Sequence, residues 1–146
     1  MQLQSLYQEV ILDHYRNQRG KGLRGDYQAE SHQVNPTCGD EITLRAHLAK
    51  DKKTILDISY ESTGCSISQA SASVLFEQVK GVSIIEFEKI FNEYHAMMQS
   101  QGKLEANEDL IGDGVAFIGV AQYPARVKCA LLAWMAAKDA IGKAAL

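Results

Sequence analysis

The sequence predicts an α+β fold, with a small antiparallel sheet of about three strands and helices packed against it. Three observations carry this prediction. Residues 42–48 and 56–60 alternate apolar and polar side chains, and the polar run Lys50-Asp51-Lys52-Lys53 joins them; two such strands across a short turn make an antiparallel hairpin. Residues 3–16, 67–79, 83–98 and 124–141 instead repeat apolar side chains at helical spacing. The chain has 146 residues, 46% apolar and 23% charged, which fits one domain, 1–146, with a real core.

Taken in order, Leu3, Leu6, Tyr7, Val10, Ile11, His14 and Tyr15 mark an amphipathic first helix. The stretch from Asn17 to Gly25 is glycine-rich and, with Arg16, Arg19, Lys21 and Arg24, basic. It reads as a solvated loop or as a docking surface for an acidic partner. Residues 27–34 read as a further strand. Pro36 ends regular structure and holds Asn35 extended, and Gly39 permits a positive φ or a close backbone approach. In the hairpin, Ile42, Leu44, Ala46 and Leu48 share the buried parity of the first strand, and Leu56, Ile58 and Tyr60 that of the second.

Gly64-Cys65-Ser66-Ile67-Ser68 opens the next helix, with Ser66 or Ser68 as its cap. Ile67, Ala70, Ser71, Val74, Leu75 and Val79 form its face, and Gly81 ends it. Ser83 and Glu86 match a capping box for a helix whose Phe87, Ile90, Phe91, Tyr94 and Met97 or Met98 belong to the core. Residues 99–114 read as a loop with a short helical turn around Leu110; Gly112-Asp113-Gly114 matches no nucleotide-binding pattern. Pro124 suits the first position of the last helix. That helix carries Cys129 in its second turn and Val127, Leu131, Trp134, Lys138 and Ile141 at helical spacing.

A net charge of −3 gives no sign of a nucleic-acid binder. No apolar run approaches the roughly 20 residues that span a bilayer, and the N-terminal residues lack a signal peptide's apolar stretch. The expected location is cytoplasmic. The chain has three cysteines, an odd number, and in a reducing compartment such thiols are free, metal-bound or reactive.

Cys38 and Asp40 sit just before the first hairpin strand and Cys65 just after the second, so the hairpin brings them to one sheet edge although 27 positions separate the two thiols. The direction of Cys129 does not follow from spacing. All three thiols and Asp40 are expected to converge on one metal at this edge, with Cys38 also doing chemistry. The plainer alternative is that each cysteine is a small buried hydrophobe. It suits Cys129, on an Ala- and Leu-rich helix, best, and Cys38, in a polar Pro/Gly loop, least. Three thiolates and a carboxylate make a tetrahedral zinc set; iron–sulfur ligation is also open. Cys65 falls at a helix N-terminus, which favours a thiolate. A thiol hydrolase would need a base, and His14, His32, His47 and His95 are all distant in sequence from the cysteines. They read as surface or helix-packing residues.

The chain resembles the IscU/NifU-like iron–sulfur cluster assembly proteins over nearly its whole length, and within them the SufU-type branch. The resemblance rests on Leu6-Tyr7 through Asp13-His14-Tyr15, on Asn35-Pro36-Thr37-Cys38-Gly39-Asp40, on Gly64-Cys65 through Ser73, and on Tyr123-Pro124-Ala125-Arg126-Val127-Lys128-Cys129-Ala130 with Trp134. Two features select the branch. Lys128 stands where scaffold-type members usually carry His, and the 64 positions between Cys65 and Cys129 exceed the scaffold-type spacing, the extra length falling around residues 83–112.

The resemblance implies a zinc held by Cys38, Asp40, Cys65 and Cys129. It further implies a zinc-dependent sulfurtransferase whose catalytic Cys38 accepts sulfur from a PLP-dependent cysteine desulfurase of the SufS type, without itself binding PLP. The sulfur would pass to a downstream iron–sulfur scaffold or other sulfur acceptor. The alternative is a scaffold that assembles a nascent iron–sulfur cluster on the same residues. Arg126 and Lys128 read either as a solvated helix face or as positive charge beside the site or a partner contact. Gln18 departs from the family's usual Pro, Gly20 from a common Asn and Ser62 from a frequent Gly, in a loop and a strand end rather than at the ligands.

Overall fold

The computed structural model describes residues 3–146. Helix α1 spans Leu3–Arg16, and strands β1, β2 and β3 span Ala29–Asn35, Asp40–Leu48 and Ile55–Thr63. Helices α2 (Ser66–Val79), α3 (Ile84–Gln99) and the short α4 (Glu108–Ile111) follow, then a 3₁₀ segment (Gly112–Gln122) and α5 (Pro124–Ala144). The strands form an antiparallel meander in the order β1-β2-β3, as the alternation predicts. Among the described residues no helix is long and apolar enough to cross a membrane.

Ile42, Leu44, Ala46, Ile58 and Tyr60 are buried; α5 packs on β1 and β2, and α2 packs on β3. The inward parity fails at one position. Glu41 to His47 pair with Thr63 to Asp57 in step, but Leu48 faces Ile55. Leu56 is the extra residue of a bulge. It lies 55% exposed while Ile55 is fully buried, which corrects the inward placement of Leu56. A period of two cannot reveal where a ladder skips a residue.

Helix α2 is buried beyond its predicted stripe, at Ser68, Ala72 and Ser73 as well, because α1 covers its second face. Neither Ser66 nor Ser68 caps it. Cys65 holds the N-cap position without a side-chain bond, and Ser68 Oγ donates back to Cys65 O at 3.0 Å. Ser83 Oγ does accept from Glu86 N at 3.0 Å, and Pro124 opens α5. The region read as loop up to residue 114 holds α4 around Leu110, as expected, but then the 3₁₀ segment. Val115, Ala116, Phe117, Val120 and Ala121 are buried there, pressed against α1, α3 and α5. Burial on several sides leaves no 3.6-residue stripe to read.

One buried knot fixes α5 against α2 and α3. The Tyr94 and Trp134 rings stack with centroids 3.9 Å apart. Trp134 Nε1 donates to Ser71 Oγ at 3.0 Å, Ser71 Oγ donates to Ala130 O at 2.6 Å, and Tyr94 OH donates to the same carbonyl at 3.0 Å. Ala130 directly follows Cys129, so the knot also sets where that thiol lies. Tyr94→Phe removes one of the two side-chain donors on a buried carbonyl. It is expected to lower stability by about 1 kcal/mol, read as a lower urea midpoint at unchanged slope.

Candidate metal centre

Three separate pieces of chain meet at one end of the sheet. The β1–β2 turn carries Cys38 at its tip. Asn35 pairs with Asp40 across it, Cys38 N donates to Asn35 O at 3.3 Å, and Gly39 takes φ +71°, a conformation that favours glycine. Asp40 is therefore the first residue of β2 rather than a residue ahead of it. Gly64 links β3 to Cys65 at the head of α2, and α5 delivers Cys129 from its second turn.

Cys38 is exposed, Cys65 half-buried and Cys129 buried; Asp40 is fully buried. Ligand atoms of Cys38, Asp40 and Cys129 lie within 4.8 Å of one another, so Cys129 faces the predicted edge. The Cys65 sulfur, expected to join them, is not one of this trio; Cys65 borders it through its backbone. Its N–H donates to Asp40 Oδ1 at 2.9 Å, and its thiol lies 4.0 Å from Ser68 Oγ. Cys38 Sγ and Cys129 Sγ approach the same Ala125 carbonyl at 4.0 and 3.7 Å.

The electrostatics of the cluster suit a cation. Asp40 Oδ2 is buried with no hydrogen-bond partner, and an unsatisfied buried carboxylate oxygen is costly. Burial pushes the Cys129 thiol far up, and the adjoining Asp40, Cys38 and Cys65 push it further. A thiol so placed stays protonated at neutral pH unless positive charge offsets its surroundings. Three thiols and one free carboxylate oxygen are the donor types of a tetrahedral zinc site. Asn35 Nδ2 lies 3.8 Å from Cys129 Sγ, as a donor to it.

A second cluster, His14 with Glu77 and Asp113, also brings ligand-type atoms together. Arg19 Nη1, which can only donate, stands 3.2 Å from His14 Nδ1, so Nδ1 is the acceptor. Nε2–H then donates to Asp113 Oδ2 at 2.9 Å, and hydrogen bonds close the network without a cation. His14 packs α1 against α2 and the 3₁₀ segment, in keeping with a helix-packing role. Among the described residues no histidine bonds to a cysteine. Three cations of the basic loop face the chain's own carboxylates: Arg19 on Asp13, Lys21 on Glu61 and Arg24 on Asp57. Arg126 and Lys128 lie on the exposed face of α5, with the Arg126 guanidinium 5.9 Å from the centre of the Tyr123 ring.

Sequence reasoning assigned no site role to Asn35, Gly64 or Gln69, whose partners lie 94, 24 and 5 positions away along the chain, at Cys129, Asp40 and Gly64. Only the clustering of Asn35 and Gly64 beside cysteines offered a signal. Gly64 has φ +135°, and a Cβ there would overlap both the backbone and the carboxylate of Asp40. Gly39 also has positive φ, but open space surrounds it. Gly39→Ala should cost about 1–2 kcal/mol of backbone strain, and Gly64→Ala clearly more. Urea unfolding of the two variants checks the order, and equal costs would mean that the Asp40 contact does not constrain the turn.

Comparison with known proteins places these residues in context. Residues 6–143 match the family model described as NifU-like N terminal domain. The zinc-dependent sulfurtransferase SufU of Bacillus subtilis is 42% identical over 144 residues, covering 97% of this chain and 92% of that protein. The iron–sulfur cluster assembly scaffold protein IscU of Thermotoga maritima is 35% identical over 147 residues, covering 98% and 97%. Among solved structures, a protein described as an iron–sulfur cluster assembly scaffold for the SUF system (a SufU) from Fervidobacterium islandicum superposes with a TM-score of 0.82 at 32% identity, covering 96% of this chain and 99% of that one. The N-terminal part of a nitrogen-fixing NifU-like protein from Brucella abortus gives 0.84 at 25% identity, covering 94% and 93%.

Proposed function

The chain belongs to the NifU-like N-terminal domain family, the IscU/NifU proteins of iron–sulfur cluster assembly, and we propose that within it this protein is a zinc-dependent sulfurtransferase. The observation that carries the reading is one exposed thiol, Cys38, set against a buried carboxylate with a free oxygen and the buried Cys129 thiol, with Cys65 beside them through its N–H on Asp40. The name of the Bacillus subtilis relative supports it. Cys38, Asp40, Cys65 and Cys129 would hold the zinc. When bound, zinc supplies the positive charge that keeps coordinating thiols deprotonated at neutral pH.

The proposed partner is a cysteine desulfurase of the SufS type that presents sulfur as a cysteine persulfide. Cys38 stands at the tip of a turn, and among the described residues it is the one exposed cysteine, so an incoming persulfide meets it first. The Cys38 thiolate attacks the outer sulfur, the partner's S–S bond breaks, and the partner's thiolate leaves with the bonding pair. Cys38 then carries the persulfide and releases its outer sulfur by the same exchange to a downstream scaffold or other acceptor. Asp40 and Cys129, buried on the inner side of the cluster, take no part in the exchange and keep the turn in place.

The Thermotoga maritima relative favours a second reading, a scaffold on which the nascent cluster is the cargo of the same four residues. Metal and acid-labile sulfide content of the protein purified without reconstitution separates the two. About one zinc per chain without sulfide, and desulfurase turnover that Cys38→Ala lowers to its unstimulated rate, is the expected result. Iron with stoichiometric sulfide would replace the relay with the scaffold, and full stimulation by Cys38→Ala would remove Cys38 from the reaction. Asp40→Ala should release zinc to a chelator at least about tenfold faster; unchanged release would take Asp40 out of the ligand set.

A further inference from the structure

The peptide joining Gly64 to Cys65 is held at both of its polar ends. Its N–H donates to Asp40 Oδ1 at 2.9 Å. Its carbonyl, on Gly64, accepts from Gln69 Nε2 at 2.9 Å. The side-chain oxygen of Gln69 in turn accepts from Gln18 Nε2 at 2.9 Å. Gln18 Nε2 gives its other hydrogen to Tyr15 O at 3.0 Å, among the carbonyls that the end of α1 leaves free. Exchanging the oxygen and nitrogen of Gln18 would set an oxygen against two other oxygens, so the direction of the chain of donors is fixed. It runs from the end of α1 through Gln18 and Gln69 to the Gly64–Cys65 peptide, and that peptide then donates to Asp40.

This peptide needs holding. Gly64 has no side chain and sits at φ +135°, where glycine is free to rotate between wells. Rotation of the plane would withdraw the N–H from Asp40 and swing Cys65 with it. Cys65 has no side-chain cap bond of its own to resist this. Gln69 resists it twice, through its side chain on Gly64 O and its backbone N–H on Cys65 O at 3.2 Å. Asp40 has to give Oδ1 to this same peptide for Oδ2 to remain free.

We propose that Gln69 is a positioning residue for Cys65 and Asp40, and that Gln18 orients it. The consequence for metal retention rests on the zinc reading above; the positioning itself does not.

The test uses the full chain with Gln69→Leu, Gln18→Leu and both together. Amide hydrogen exchange of the Cys65 N–H is followed by NMR on reduced, metal-free protein, and zinc transfer to a chromophoric chelator on loaded protein. Loss of one such bond corresponds to about a five- to tenfold faster exchange at Cys65 in Gln69→Leu. A smaller acceleration is expected in Gln18→Leu. The double variant should exchange no faster than Gln69→Leu, since both act through one bond. Amides of Leu44 and Tyr60 in the sheet should keep their rates, which a general loss of stability would not allow.

Unchanged exchange at Cys65 in Gln69→Leu, or independent additive effects of the two substitutions, would overturn the proposal. If Gln69→Leu does not fold, Gln69→Glu keeps the length, cannot donate to Gly64 O when ionised, and carries the same expectation. Faster exchange with faster zinc transfer supports both the positioning and the metal centre. Faster exchange with unaltered zinc transfer leaves the positioning standing and removes Cys65 from the ligand set.

Discussion

Asp40 lies fully buried, with Oδ1 bound to the Cys65 N–H and Oδ2 bound to nothing. A carboxylate is among the most costly groups to remove from water unless charge and hydrogen bonds answer it. Much of the surrounding chain is arranged around that requirement. Gly64 is glycine because a side chain would occupy the space of the carboxylate. The peptide after it is turned so that its N–H reaches Oδ1. Beside the carboxylate lie the Cys38 and Cys129 sulfurs, brought by a turn and a helix, with Cys65 next to them at the head of α2. A divalent cation would satisfy the carboxylate and the thiols together, which is why the charge problem and the proposed chemistry share one location.

The four residues proposed to hold the metal differ in exposure. Cys38 sits at the tip of a turn and reaches solvent, whereas Cys129 is 2% exposed and is carried by a helix locked through its neighbour Ala130. The Tyr94–Trp134–Ser71 knot makes α5 a rigid carrier, so Cys129 stays at the edge of the sheet while the β1–β2 turn above it remains accessible. Cys65, between these extremes, follows a peptide hydrogen-bonded at both ends, to Asp40 and to Gln69.

Much of this was legible in the chain because it is local. Alternation over residues 42–48 and 56–60 located the hairpin, and a hairpin necessarily places Cys38, Asp40 and Cys65 at one edge. Ser83 announced the start of α3 by accepting the Glu86 N–H, and Pro124 that of α5 by having no N–H to leave unpaired in the first turn. The resemblance carried by the cysteine-bearing motifs pointed to the family. The bulge at Leu56 and the 3₁₀ segment escaped, since a skipped ladder position and a segment covered on several sides leave no period to detect.

The sequence by itself determined the α+β class, the antiparallel hairpin and the arrival of the chain segments bearing Cys38, Asp40 and Cys65 at one end of it, because each follows from side-chain periodicity over a few residues. Only the tertiary structure decided that Cys129 turns toward Cys38 and Asp40, that Asp40 keeps one oxygen free, and that Gln18 and Gln69 reach the Gly64–Cys65 peptide. Those outcomes depend on how α1, α2 and α5 are seated against one another and against the sheet. That seating comes from the burial of Trp134, Tyr94 and Ser71 and from the fit of α1 over α2, contacts between residues far apart in the chain for which no local pattern exists.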